Sequence, residues 1–304
     1  MENELVSVII PTYGRPEKLP RAIESVLQQN YLNFELIVVD DNDPGSESRR
    51  ETQTVMRAYQ NNNKIKYITH IKNKHVSAAR NTGFKNSKGQ FIMFLDDDDE
   101  FLPDKMLSQV RRLSELDATW GCCYSNYIRQ RNGKTISYSG ERREGKLFIE
   151  GLMRNLFIHP GSNLLVRRNV VEELDGFDER FVRNEDIEFL CRILMKYKIA
   201  YTDTIGLIVH VHDRSDSKNK FEEINADYVK KLSPLIDSLP FREKERVKKM
   251  IYLQLFRFYI TVGRNYKKAL NLLLGRKLSV LLVIKYGVHL VCRKIKKKAY
   301  GFRL

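Results

Sequence analysis

Short, almost uniformly apolar runs alternate with stretches whose apolar residues recur at helical spacing. Val6–Ile10 ("VSVII"), Glu35–Val39 ("ELIVV"), Ile65–Ile71 and Phe91–Leu95 ("FIMFL") are rich in β-branched and aromatic residues. Parallel strands covered on both faces give that pattern. Between them, Pro16–Gln29 carries Leu19, Ala22, Ile23, Val26 and Leu27 on one helical face, and Ser46–Asn61, Val76–Asn86 and Pro103–Leu116 have the same texture. The alternation predicts right-handed βαβ units and an α/β fold with an open sheet flanked by helices. Further strands are predicted at Gly121–Arg129 and Ser162–Val166, with a helix at Glu185–Lys196.

From about Asp216 the texture changes to successive amphipathic helices with basic faces, broken near Pro234, Pro240, Gly263 and Gly275. Charge divides the chain at the same place. Residues 1–215 balance acids against bases, and the whole formal charge of +15 lies in residues 216–304. Two parts are therefore expected: an α/β domain over 1–215 and a basic helical extension over 216–304. Leu278–Val291 is too short to span a bilayer, which takes roughly 20 apolar residues, and "RKIKKK" (Arg293–Lys298) follows it. Such a helix suits the surface of an anionic membrane. The alternative is that these helices pack on the α/β domain or on each other with basic faces in water. No base-stacking or groove-reading module accompanies the charge, so no nucleic-acid partner is expected.

At 304 residues and 42% hydrophobic content the chain can build a sizeable core. Cys122, Cys123, Cys191 and Cys292 form no C-x-x-C pair, which argues against a zinc site or disulfide framework and for a reducing compartment. The opening "MENELVSVII" lacks a basic segment before its apolar run and reads as a first strand rather than a signal peptide.

The candidate chemistry sits where strands end. Val6–Ile10 runs into Pro11-Thr12-Tyr13, Glu35–Val39 into Asp40-Asp41, and Phe91–Leu95 into Asp96, Asp97, Asp98, Asp99 and Glu100. In a doubly wound sheet these ends converge on the edge where ligands bind. Crowded carboxylates resist ionising together unless a divalent cation joins them. Oxygen ligands suit Mg2+ or Mn2+, which take the rest of their shell from water and substrate phosphates. A plainer account is that Asp99, Glu100 and Asp104 complement the positive end of a helix opened by Pro103; it leaves unexplained why the acids begin directly after a strand.

The segments "VSVIIPTYGRPEKLPRAIESVLQQNYLNFELIVVDD", "VSAARNTGFKNSKGQFIMFLDDDDEFLPDKM" and "GFDERFVRNEDIEFLCRI" resemble family 2 glycosyltransferases of the GT-A fold, in order and spacing, over roughly residues 5–215. The resemblance implies a Rossmann-type mixed sheet flanked by helices, a nucleotide-sugar donor, a divalent metal (Mn2+ or Mg2+) and transfer with inversion, to a saccharide or lipid-linked saccharide. It implies that Tyr13 contacts the nucleobase with Pro11 and Thr12 beside it, that Asp41 accepts a hydrogen bond from the base (for uracil, its ring N–H), and that Arg80 lies near the diphosphate. Asp96-Asp97-Asp98 matches the D-x-D motif, with Asp98 as metal ligand and Asp96 or Asp97 on the ribose and nucleotide. Asp186 matches the catalytic base and His212 the family's later histidine, a metal ligand. The residues themselves also permit Asp186 to be a base, since a neighbouring acid raises its proton affinity; taken alone, Glu185-Asp186 could equally be helix N-terminal charge complementarity.

Three positions depart from the pattern: Asn42-Asp43-Pro44 follow the second strand, Asp175 precedes Gly176 in place of a glycine, and His75 stands where glycine is common. His210 and His212 could each serve strand-end packing or a metal or phosphate contact. The expectation is a metal-dependent inverting glycosyltransferase that contributes to cell-surface polysaccharide synthesis. It would work in the cytoplasm, peripherally on the inner face of the membrane. The rivals are an inactive membrane-associated scaffold of the same fold and a sugar-nucleotide nucleotidyltransferase. "PTYGRPEK" has one glycine and lacks the phosphate loop the latter needs.

Overall fold

The computed structural model describes residues 4–211, 221–275 and 277–304. In the sheet, β1 (Val6–Thr12) lies between β2 (Phe34–Asp40) and β4 (Phe91–Phe94), with β3 (Ile65–Thr69) at the edge beyond β2. All four run parallel, so the ends of β1, β2 and β4 share one edge. Beyond β4 the direction reverses. β8 (Leu165–Arg167) pairs antiparallel with β4 and with the start of β6 (Trp120–Arg131). β7 (Lys134–Ser139) folds back on β6 through Asn132-Gly133, both at positive φ, as a tight hairpin turn requires. β9 (Lys198–His210) runs parallel to β6, and the two-residue β5 (Glu100–Phe101) joins it antiparallel. The sheet is mixed, as expected.

Alternate strand residues serve opposite layers. Val6, Val8, Ile10, Leu36, Val38, Phe91 and Met93 share a core with Leu19, Ala22, Ile23 and Val26 of α1 (Leu19–Leu27), Met56 of α2 (Glu47–Arg57), and Met106, Val110 and Leu113 of α4 (Lys105–Ser114). The other face carries α3 (His75–Lys85), whose Gly83 lies over Ile9, and α8 (Glu185–Lys196), whose Phe189 meets Phe94 edge-on at 6.2 Å. The short helices α6 (Pro160–Asn163) and α7 (Arg168–Glu173) complete the region, and α5 (Phe148–Leu152) belongs to a second unit.

Two expected elements differ in register. The helix expected from Pro16 begins at Leu19, with Pro20 in its first turn where a missing N–H costs nothing. The strand expected over Ser162–Val166 begins only at Leu165. Pro160 opens a helical turn instead, and the Asn163 amide secures it by donating to the carbonyls of Ser125 and Ile158, both at 2.7 Å. At two departures from the family pattern the backbone explains the glycine that is common there. His75 (φ 67°) and Asp175 (φ 54°) occupy the left-handed region that favours glycine.

The chain divides into two compact units, one of residues 4–147 with 158–211 and one of residues 148–157 with the described residues from 221 onward. The second comprises α5, α9 (Phe221–Asp237), α10 (Phe241–Thr261), α11 (Tyr266–Leu274) and α12 (Val280–Ile295). Residues 148–157 are stitched into it: Tyr228 Oη donates to Leu152 O at 3.1 Å, Gln254 Nε2 to Met153 O at 2.9 Å, and Asn155 exchanges two bonds with the Phe302 backbone. Pro240, Gly263 and Gly275 fall at helix ends, but Pro234 does not break α9. A proline there leaves the Lys230 carbonyl without its usual donor, and Ser233 Oγ supplies one at 2.9 Å. Among the described residues no helix is long and apolar enough to cross a membrane.

Candidate functional site

The three strand ends meet through polar contacts. Thr12 Oγ1 donates to Asp97 Oδ2 at 2.8 Å, and the Asp41 amide donates to Thr12 O at 2.9 Å. Pro11 sits opposite Val39 in the ladder, and Tyr13 emerges beside it with half its surface exposed. Asn42 ties the two loops together, accepting from Gly14 N at 2.7 Å while its amide donates to Asp40 at 2.8 Å. Asp41 is buried and anchored through Oδ1, which accepts from Lys74 N at 2.8 Å and pairs with His70 Nδ1 at 2.7 Å. His70 Nε2 in turn reaches Thr82 Oγ1 at 2.9 Å.

Every member of the acid run has a nearby partner. Arg15 pairs with Asp97 at 2.6 Å and with Asp98, while Arg21 donates to the Asp98 carbonyl at 3.0 Å. Burial pushes the Asp97 carboxyl up to about 7, against the pull of Arg15 and Thr12 and with the help of Asp98 and Asp96. Asp99 Oδ2 accepts from Ser162 Oγ at 2.7 Å and lies 3.0 Å from His159 Nε2. Its other oxygen accepts from His210 N at 3.3 Å. Glu100 lies 3.2 Å from His210 Nε2.

Arg80 is fully buried. It donates to Asp96 at 2.7 Å and to Glu185 at 3.0 Å, with its guanidinium 5.0 Å over the Phe177 ring. Burial opposes ionisation of Asp96, but Arg80 prevails and lowers its pKa. Asp186, in the first turn of α8, is shifted the other way: burial and Asp96 lift its pKa above the ordinary carboxylate value against Arg80 and His159. Gly161 lies against both carboxylates. A Cβ there would sit 3.2 Å from Asp96 Oδ2 and 3.6 Å from Asp186 Oδ2, so its absence leaves the two carboxylates uncovered on that side. Nearby, Gly176 (φ 68°) packs so closely on Asn81 that a Cβ would fall 2.4 Å from Asn81 Oδ1, which fixes the turn leading to α8.

The donor set fits a hard divalent cation. Asp96, Asp99 and His159 each offer one ligand atom, all within 4.8 Å of one another, and carboxylate with imidazole is a combination Mn2+ accepts. Of the ligands expected from sequence, Asp98 is engaged by Arg15, and His212 lies outside the described residues. Thr12, Asp41, Asp96, Asp97, Arg80 and Asp186 are gathered at this edge, with Arg80 spanning two carboxylates. Sequence reasoning passed over His159, Ser162, Arg15 and His70. "IHPGSN" carries a signal for the first two, a histidine and proline opening a turn, although the expected strand over Ser162–Val166 takes in Ser162 and Asn163.

A mixed sheet with an acidic edge at the ends of β1, β2 and β4 is the arrangement of a GT-A glycosyltransferase, and structural comparison matches it to that fold. Solved structures agree on the fold: S. aureus TarS 1-349 in complex with UDP-GlcNAc (TM-score 0.61, 18% identity, 86% of this chain and 74% of that one) and the mannosyltransferase PcManGT from Pyrobaculum calidifontis in complex with GDP-Man and Mn2+ (0.61, 15%, 96% and 83%). The model of glycosyl transferase family 2 matches residues 7–175, and the chain belongs to that family. An uncharacterized glycosyltransferase of Rickettsia felis is 32% identical over 88% of this chain, which spans only 44% of that relative's length. The Escherichia coli UDP-Glc:alpha-D-GlcNAc-diphosphoundecaprenol beta-1,3-glucosyltransferase WfgD is 29% identical over 75% of this chain and 85% of its own. The Campylobacter jejuni GalNAc(5)-diNAcBac-PP-undecaprenol beta-1,3-glucosyltransferase is 24% identical over 96% of both.

Proposed function

We propose that the chain transfers a sugar, with inversion, from a UDP-linked donor to a saccharide carried on a lipid diphosphate, in the cytoplasm at the inner face of the membrane, and so contributes to a cell-surface polysaccharide. The observation that carries this reading is the convergence of Asp186 and Asp96 under Gly161, beside the strand ends that gather Thr12, Asp41 and Asp97. The names of the Escherichia coli and Campylobacter relatives support the acceptor class, and the UDP-Glc in the name of the first supports the base.

Each residue has a distinct part in the chemistry. Asp41, held rigidly through Oδ1, offers its carboxyl to the base N–H, and Tyr13 lies against the base face. Thr12 and Asp97 border the ribose. Asp186 accepts the acceptor's hydroxyl proton as that oxygen bonds to the sugar C1 and the C1–O bond to the diphosphate breaks, UDP leaving with the electron pair. A raised proton affinity suits a base that works near neutral pH. Arg80 holds Glu185, and with it the first turn of α8, at a fixed distance from Asp96. When bound, a manganese or magnesium ion held by Asp96, Asp99 and His159 would supply positive charge against the leaving diphosphate.

Asp186→Asn tests the reading. It keeps the shape of the site and removes the base, so UDP-sugar affinity by calorimetry should hold while transfer falls roughly 10^2–10^4-fold, the usual worth of a positioned base. Transfer at the native rate would reject the assignment.

A further inference from the structure

We infer that the C-terminal unit docks on an anionic lipid bilayer through one face of α12. The inference extends the reading above to the lipid surface itself and stands or falls separately from the transfer chemistry. Six apolar side chains of this helix, Val280, Leu281, Ile284, Val288, Val291 and Ile295, are 56% to 76% exposed. They recur at steps of three and four residues, which puts them in a single stripe. The opposite side of α12 is where the helix packs: Tyr286 is buried with its ring 5.2 Å from Phe302, and the Arg293 guanidinium lies 4.0 Å over Phe157. The apolar stripe is therefore the side turned away from the unit's own core. A second exposed row, Tyr266, Leu270 and Leu274, recurs every four residues on α11.

Charge selects the occupant. Exposed Lys285 and Lys296 border the stripe on one side and exposed Lys294 on the other, with Lys297 and Lys298 just beyond the helix end. Residues 246–304 hold 16 lysines and arginines and no aspartate or glutamate. Long lysine stems lie along an apolar surface while their ammonium groups reach outward, which at a bilayer brings them to lipid phosphates. A second copy of the helix fits less well. Pairing two such stripes would bring lysine margins together with no acid on either helix to answer them. An acid-free apolar face with basic margins matches an interfacial helix lying in the plane of an anionic leaflet.

The test uses the full chain and vesicles of phosphatidylcholine alone or mixed with phosphatidylglycerol. The protein should pellet with the mixed vesicles, release as salt rises, and bind the neutral ones at least tenfold more weakly. Ile284→Glu with Val288→Glu should lower the affinity for mixed vesicles at least tenfold. Lys285→Glu with Lys294→Glu and Lys296→Glu should lower it by roughly a hundredfold or more, at about one factor of five per lysine. All five positions are exposed, so melting temperature and UDP binding should not change in either variant. Pelleting of either variant with mixed vesicles as fully as the unmutated chain, or equal binding to neutral and anionic vesicles, overturns the inference. So does a dimer in sedimentation velocity that the Ile284→Glu, Val288→Glu variant dissolves, because that assigns the face to a second copy.

Discussion

Replacing Arg80 puts the heart of the site under strain that can be worked out in advance. Its guanidinium is fully buried and divided between Asp96 at 2.7 Å and Glu185 at 3.0 Å, with Asp186 adjacent. Arg80→Met leaves those acids together without their cation, and breaking a buried pair from one side costs about 3–5 kcal/mol. For a chain of this size each kcal/mol is worth roughly 2–4 °C, so melting should fall by about 10 °C. Arg80→Lys keeps a charge, but a single ammonium cannot span both carboxylates as the planar fork does; about half the loss should remain. The pH dependence has a definite sign. The pair lowers the Asp96 pKa, so its stabilisation is present above the ordinary carboxylate range and is lost as pH falls through the folded value. The gap between wild type and Arg80→Met should therefore close in acid. Arg80 also restrains the rise of Asp186, so the acid limb of the transfer rate should move to higher pH in Arg80→Lys, by about one unit for each 1.4 kcal/mol of lost interaction. Thermal melts across pH and the pH profile of transfer read both effects. Native stability together with an unmoved acid limb would refute the reasoning.

Other outcomes follow from neighbouring groups. Lys105 is completely buried, with Nζ 2.6 Å from Asn163 Oδ1, and burial brings its pKa down to about 7. Between that value and 10.5 the unfolded chain binds the extra proton, so stability relative to Lys105→Met should rise by about 2–3 kcal/mol from pH 7 to 9; denaturant titrations at both pH values would check it, and a flat difference would contradict it. His159→Ala should weaken Mn2+ binding, followed by Mn2+ electron paramagnetic resonance, by at least tenfold, whereas Asp98→Asn should weaken it less. The reverse ranking would move the cation to Asp98.

Much of the architecture was legible because its signals are local. Val6–Ile10, Glu35–Val39 and Phe91–Leu95 are covered on both faces, and such short, nearly continuous apolar runs rich in β-branched or aromatic residues mark buried strands. The expectation that three strand ends converge follows from parallel pairing alone, and Thr12, Asp41 and Asp97 do meet. What sequence could not supply is distance across the chain. Arg80 and Glu185 are 105 positions apart, and the burial that turns Arg80 into a brace between carboxylates depends on Phe177 packing over it. β9 was hidden for another reason. Thr202, Asp203 and Thr204 interrupt its alternation where the pairing with β6 shifts register, so the period-two pattern lapses in the middle of the strand. Residues 148–157 look like part of the α/β region along the chain, and their contacts with residues such as Tyr228, Gln254, Arg293 and Phe302 attach them elsewhere.

The most direct measurement is a calorimetric titration of UDP into the full chain with Mn2+, with chelator in its place, and with Asp41→Ala. The account predicts saturable binding with Mn2+, at least tenfold weaker binding with chelator, and a comparable loss in Asp41→Ala even when Mn2+ is present. Binding indifferent to both the cation and Asp41 would contradict it.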